Sequence, residues 1–474
     1  MTLVEEDVDL LLRLLRTPTA GPLEVGPDGP APRLWQAQQD YARAAAPLGF
    51  RTVHHAPATP ADLERPGVPA AVREAADAPG FLRCQPSLVL RLGPDTVPRE
   101  RTVMFNVHLD TVAGGPSVSL DGGLVRGRGA IDAKGPAVAL LAGVRAARAR
   151  SPRLGRDTAV LIQAVAGEEG GAMGVLGTRP LIERGHTGRL NVFCEPTSGR
   201  FLTRSTASMT ARVSVRGEDA IDDRPHTGHN ASVLLGFLAH SMGRSLDGHA
   251  RRGAVCVAGM HTGTLHNRVY GSGDLLFNLS YADTRTGRVL EREVAEAFNA
   301  ALEEFTASFA DTALFSRTAA DARRLTRLDW LKRGLPVLDD RDTWGHDLLL
   351  RSGVPRWPAD EPAFTCDAIW MAGVPDACTV VLGPGDLAAD GAHGDTERAR
   401  LFDLDGFADT VSRLLTVFTD EADGPGGERA RTPAPPTADR SARSGERADT
   451  TTTRKEKGVA SPDGKPGPVR PTNR

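Results

Sequence analysis

Apolar and polar residues alternate along this chain in two rhythms. The opening stretch "MTLVEEDVDLLLRLLRTP" spaces its leucines for one face of a helix. "TVMFNVHLD" (102–110) is an unbroken apolar run that ends in polar residues, the pattern of a buried strand. "KGPAVALLAGVRAARAR" (134–150) predicts a helix, with Pro136 near its first turn and Val138, Leu141 and Val144 on one face. A strand at 158–165, a helix around 174–184 and a strand in "RLNVFCEPT" (189–197) follow. This βαβαβ order predicts a sheet with parallel strands.

The rhythm changes near residue 205. "STASMTARVSVRG", "AVCVAGMHTGTLHNRV" and "GDLLFNLSYAD" alternate like antiparallel strands, with the helices "ASVLLGFLAHSMGRSL" and "GRVLEREVAEAFNAALEEFTASFA" among them. The first rhythm returns with the strand "CTVVLGPGD" and the closing helix "DLDGFADTVSRLLTVF". The expected architecture is therefore α/β with a mixed, largely parallel sheet, interrupted by a smaller α+β insertion. The divisions fall at 1–204, 205–326, 327–419 and a tail, 420–474. After Phe418 no Leu, Ile, Phe, Trp, Tyr or Met occurs, so the tail cannot bury enough apolar area to offset its ordering entropy and is expected to be disordered.

Composition narrows the function by exclusion. A net charge of −3 over 474 residues, with no basic stripe, argues against nucleic acid. No apolar run is long enough to span a membrane. The acidic start differs from a signal peptide, and the five cysteines form no CxxC pair, so a reduced, cytoplasmic setting is expected. Lysine is scarce beside arginine, which singles out Lys134: only it and Lys332 precede the tail.

The candidate chemistry lies at the strand ends, where open α/β sheets bind ligands. His108 and Asp110 end one strand, Glu168 and Glu169 another, and Glu195 a third. Asp132 precedes the long helix and His393 follows the last strand. Each has an ordinary explanation alone: a surface histidine, a solvated "GEEGG" turn, a helix cap at Asp132, a loop residue before Pro196. Together they would repel one another unless cations sat among them. His108, Asp132, Glu169, Glu195 and His393 can hold two divalent ions if Asp132 bridges. Nitrogen and oxygen donors without thiolate suit zinc, and also cobalt or manganese. Asp110, two residues beyond His108, can accept a hydrogen bond from its other ring nitrogen. Glu168 is then the spare carboxylate, free to act as a general base.

The pieces "HLDTV", "GRGAIDAKGP", "GEEGGAMGV", "CEPT", "RPHTGHNA", "GTLHNRV" and "LGPGD…AHGDTE" cover residues ~80 to ~418. In this order they resemble the two-zinc amidohydrolases and peptidases of the acetylornithine deacetylase, succinyl-diaminopimelate desuccinylase, aminoacylase and glutamate carboxypeptidase group. The resemblance implies a zinc-peptidase-like catalytic domain and a small-molecule substrate. It pairs His108 with Glu195 on one zinc and Glu169 with His393 on the other, Asp132 bridging and Glu168 as base. The insertion is similar to the family's lid, which also makes a homodimer, and Asn267 matches the lid asparagine.

Departures from that pattern lie in the substrate-facing shell. Ile221 stands where relatives have the lid histidine, Ser280 and Ile369 where they have arginines. His226 or His229 could take over the histidine's role, although both fit a structural role at a helix entry. Two functions are therefore weighed. One is hydrolysis of an amide in an N-acyl amino acid, peptide or related small molecule. The other is a metal-binding relative with a non-hydrolytic role in acyl transfer, carrier-protein binding or assembly.

Overall fold

Thr102–His108 shows why the first rhythm makes a sheet: all seven residues are buried, so the strand must be covered on both faces. In the computed structural model, which describes residues 2–26, 28–248 and 255–421, it lies fourth in a six-stranded sheet. The order is Arg51–Pro57, Pro86–Leu92, Ala159–Val165, Thr102–His108, Leu190–Phe193 and Cys378–Val381. The last four strands run parallel, and the first two join antiparallel. The sheet is mixed and largely parallel, as the pattern predicts.

Helix Lys134–Arg150 is buried along nearly its whole first half, because it packs against both the sheet and the closing helix Leu401–Glu421. Gly143 allows the close approach of the two helices: a Cβ there would stand 2.6 Å from the Ala408 carbonyl oxygen and 2.6 Å from Val411 Cβ. Gly143→Ala would favour an isolated helix. Here overpacking is expected to prevail, lowering stability by about 1–3 kcal/mol. Urea unfolding of the variant would measure it; equal or higher stability would refute the packing argument.

Lys134 has a structural answer. Its ammonium is buried and donates to the carbonyls of Leu14 and Thr17, at 3.1 Å each, at the end of the first helix, Glu5–Arg16. Burial lowers its pKa to about 7, against the pull of Glu397 and Asp110.

The second rhythm forms a four-stranded antiparallel sheet in the order Val255–His261, Ser272–Tyr281, Ala207–Arg216 and Thr326–Lys332. Helix Thr284–Phe309 buries Leu290, Val294, Phe298, Ala301 and Phe305 at helical spacing, in the core that also packs this sheet and helix Ala231–Asp247. Val255–His261 is an edge strand, with Val257 and Met260 exposed.

Two elements differ from expectation. The helix expected around 174–184 is only Thr178–Glu183. Gly167, Gly170, Gly171 and Gly174 all have positive φ, and the chain winds through turns before the helix starts. The closing helix continues through Glu421, past the expected start of the tail; the rest of the tail lies outside the described residues.

Candidate metal centre

Strand direction assembles the site. His108 ends its strand, and the "GEEGG" turn follows the parallel strand beside it. Glu195 lies two residues beyond Leu190–Phe193, and His393 follows Cys378–Val381 in a loop. Asp132 sits just before helix Lys134–Arg150 and reaches both histidines. Its Oδ1 lies 2.8 Å from His108 Nε2 and its Oδ2 2.9 Å from His393 Nε2. Glu169 Oε1 lies 3.2 Å from His393 Nε2, and Glu195 Oε2 3.9 Å from His108 Nε2. Two triads result, His108–Asp132–Glu195 and Asp132–Glu169–His393, each with its ligand atoms within 4.8 Å of one another. The five residues singled out in the sequence meet in one crevice and divide between two positions that share Asp132.

The donor set fits a pair of divalent cations. Both imidazoles turn the same nitrogen inward, and the shared carboxylate offers one oxygen to each side. The neighbouring Cys194 belongs to neither triad, so the donors are nitrogen and oxygen alone.

Asp110 acts differently from the expected hydrogen-bond acceptor for His108. His108 Nδ1 donates to the main-chain oxygen of Asp110, at 2.9 Å, while the nearer carboxylate oxygen is 3.9 Å away. The carboxylate instead accepts the backbone N–H groups of Gly167 (3.0 Å) and Glu169 (3.1 Å), so it holds the two-glutamate turn in place. Its Oδ1 is buried without a hydrogen-bond partner.

Without cations the crevice holds protons. Burial alone would lower His108, but the Asp132 hydrogen bond and the Glu195 charge raise it well above its ordinary value. Hydrogen bonds to Asp132 and Glu169 raise His393 to about 10. Burial raises Glu195 to about 8 and, with Glu169, Asp367 and Glu195 nearby, lifts Glu168 well above the usual carboxylate range. Asp132 moves the other way, because bonds to the two imidazoles outweigh its burial. Metal ligands must be deprotonated, so at pH 7 a cation has to displace the protons on both imidazoles and on Glu195. Zinc uptake by the stripped protein is therefore expected to release about two or more protons per chain, and affinity should rise with pH. Calorimetry in buffers of different ionisation enthalpy would count them; uptake without proton release would contradict the assignment.

The other candidates lie elsewhere. His226 and Asn267 are exposed on the antiparallel unit, and among the described residues neither hydrogen-bonds to the five-residue cluster. His229 is structural: its Nδ1 accepts the Glu218 N–H at 2.9 Å and its Nε2 bonds Asp321 at 3.1 Å. Ile221 is 58% exposed and pairs with Arg268 in a short ladder. Ile369 is fully buried and belongs to the hydrophobic core of the antiparallel unit. Ser280 lies on strand Ser272–Tyr281.

Two buried carboxylates escaped the sequence reading. Asp367 accepts the Thr178 hydroxyl at 2.5 Å, and burial raises its pKa to about 7. Glu397 caps the loop before Asp132. Asp367 lies in "TCDAIW", the stretch around Ile369, and Glu397 in "AHGDTE", but nothing in their spacing distinguishes them from solvated loop acids.

The strand ends of a mixed α/β sheet thus converge on an imidazole–carboxylate crevice. The family model for peptidase family M20/M25/M40 matches residues 104–417, and the chain belongs to that family. A protein of Aeropyrum pernix provisionally named LysW-lysine/LysW-ornithine hydrolase is 35% identical over 157 residues. That match spans 33% of this chain and 42% of the relative. Among solved structures, the fold is similar to a tripeptidase from Staphylococcus aureus (TM-score 0.63, 14% identity, 89% of this chain and 100% of that one). It is also similar to human carnosine dipeptidase 1 (TM-score 0.60, 15% identity, 88% and 96%).

Proposed function

We propose that this chain is a two-metal amidohydrolase that cleaves the amide of an N-acyl amino acid, a peptide or a related small molecule. Glu168 is the observation that carries the reading. It stands within ligand distance of His108 and Glu169, yet it takes no hydrogen bond from the chain among the described residues and remains partly exposed. A carboxylate so placed is free to move a proton. His108, Asp132 and Glu195 would hold one ion, and Asp132, Glu169 and His393 the other, with zinc the best match and cobalt or manganese possible. When bound, such ions supply Lewis acidity, which polarises a carbonyl and acidifies water. The Glu168 carboxylate takes the proton of the attacking water and returns it to the leaving nitrogen. Asp110 keeps Glu168 and Glu169 at their separate tasks by fixing the turn that carries them.

Family membership and the available base favour hydrolysis over a non-hydrolytic role in acyl transfer, carrier-protein binding or assembly. Of the replaced positions, Ile221 exposes an apolar group, whereas Ile369 serves the core. The exposed edge at Val257 and Met260 suits a homodimer contact through the antiparallel unit. A cytoplasmic setting agrees with the free state of all five cysteines. Among the described residues no helix is long and apolar enough to cross a membrane. The reading is tested by metal analysis combined with a panel of N-acetyl and N-succinyl amino acids, dipeptides, LysW-lysine and LysW-ornithine. Two ions per chain with cleavage of one class would support it; a fully loaded protein that cleaves none would not.

A further inference from the structure

Arg128 and Glu397 are 269 residues apart and meet in an ion pair next to the loops that carry Asp132 and His393. The small antiparallel sheet of Ser119–Asp121, Leu124–Arg126 and Arg398–Arg400 explains how. Arg126 pairs with Arg398, so the chain leaves this ladder directly into Gly127 and Arg128 and enters it directly from Glu397. The Gly127 N–H donates to the Glu397 carbonyl at 3.3 Å, which extends the contact by one step.

Glu397 is fully buried. Its Oε2 accepts Arg128 Nη1 at 2.5 Å. Its Oε1 accepts the backbone N–H groups of Gly129 (2.9 Å), Ile131 (3.2 Å) and Asp132 (3.4 Å). Gly129 has φ +89°, a conformation that lets the loop curl around the carboxylate. Arg128 Nη2 in turn donates to the carbonyls of His393 and Gly394, at 3.2 Å each, and of Ala113 at 3.4 Å, while Nε reaches the Gly114 carbonyl at 3.3 Å. One ion pair therefore grips three loops: the one after His108 and Asp110, the one that presents Asp132, and the one that presents His393.

A buried ion pair is weak evidence for stability, since desolvation offsets most of its attraction. The partners of this one are more telling than its charge. Apart from the bond between the two side chains, every hydrogen bond it makes goes to main-chain groups of ligand-bearing loops. We propose that Arg128 and Glu397 are positioning residues, which set the placement of Asp132 and His393 relative to each other and so tune the affinity of the metal position these two residues would form with Glu169. The proposal rests on the two-metal reading of the crevice and adds residues outside the ligand set.

The test compares Glu397→Ala, Glu397→Gln and Arg128→Lys with Asp7→Asn. The last breaks a different, partly buried pair, in which Arg145 binds Asp7 at 2.5 and 2.9 Å, away from the three loops. Zinc affinity is measured by chelator competition, and unfolding is followed on the metal-stripped proteins. Glu397→Ala and Arg128→Lys are expected to weaken zinc binding by about 10–100-fold, the range seen when groups that orient metal ligands are removed. Glu397→Gln keeps an oxygen for the loop amides and should fall between them and the unaltered protein. Asp7→Asn should weaken the fold and leave zinc affinity unchanged. Unchanged affinity in the foldable Arg128 and Glu397 variants, or an equal loss in Asp7→Asn, would overturn the proposal. Should Glu397→Ala fail to fold, the two conservative variants carry the test. An unaltered protein that takes up no zinc would refute the two-metal reading itself, and it would be recognised because the unaltered protein and all the variants then behave alike.

Discussion

Glu168→Gln is expected to abolish turnover while the protein keeps its metal. The substitution preserves size and one carbonyl oxygen but removes the basic site. General-base assistance is worth about 10²–10⁴ in rate, and Glu168 is also asked to return the proton to the leaving nitrogen, so the loss should reach the upper part of that range. The structure gives this variant a clear contrast in Glu169. Glu169 Oε1 faces His393 at 3.2 Å, and its backbone is tied to Asp110, whereas the Glu168 side chain is held by no such bond. Glu169→Gln should therefore lose metal first and activity as a consequence. Metal content and kcat on the same preparations separate the two. Equal metal loss in both variants would mean that the glutamates share one task, and near-normal turnover in Glu168→Gln would remove the proposed mechanism.

Asp132→Ala should cost both ions at once. Asp132 is the one residue in both triads, and each of its oxygens faces a different imidazole. Its removal leaves His108 with Glu195 and His393 with Glu169, two donors per position, fewer than the three protein ligands usual in catalytic zinc sites. His108→Ala and His393→Ala each remove a donor from one position only and should retain part of the metal. A graded series, with Asp132→Ala lowest, supports a shared carboxylate. Equal occupancy in all three variants would sink the ligand assignment.

The sequence showed the sheet better than the loops. Apolar runs such as Thr102–His108 and Ala159–Val165 are buried on both faces, and burial of that kind leaves a plain mark in residue type. The five ligand candidates were legible for a related reason: charged and imidazole groups at the ends of apolar strands are costly unless something binds them. What stayed hidden depends on main-chain geometry. The role of Asp110 turns on two amide N–H groups in a turn 57 and 59 residues away, and that of Glu397 on three amides more than 260 residues away. Backbone donors are the same at every residue, so no side-chain pattern announces them. Ile369 illustrates the converse. Its place in a family motif suggested a substrate-facing position, and only its burial in the core of the antiparallel unit shows a core residue.

Lys134 bears on how the protein can be handled. Its amine is sealed against the carbonyls of Leu14 and Thr17, so reagents that acylate amines will not reach it in the folded state. Lys332 is the only other lysine among the described residues, and three more, Lys455, Lys457 and Lys465, follow Glu421 in the sequence. Dyes, biotin or a solid support coupled through lysine therefore have few side-chain attachment points. Acylation of Lys134 under mildly denaturing conditions would instead report the moment at which the first helix comes away from the helix that follows Asp132.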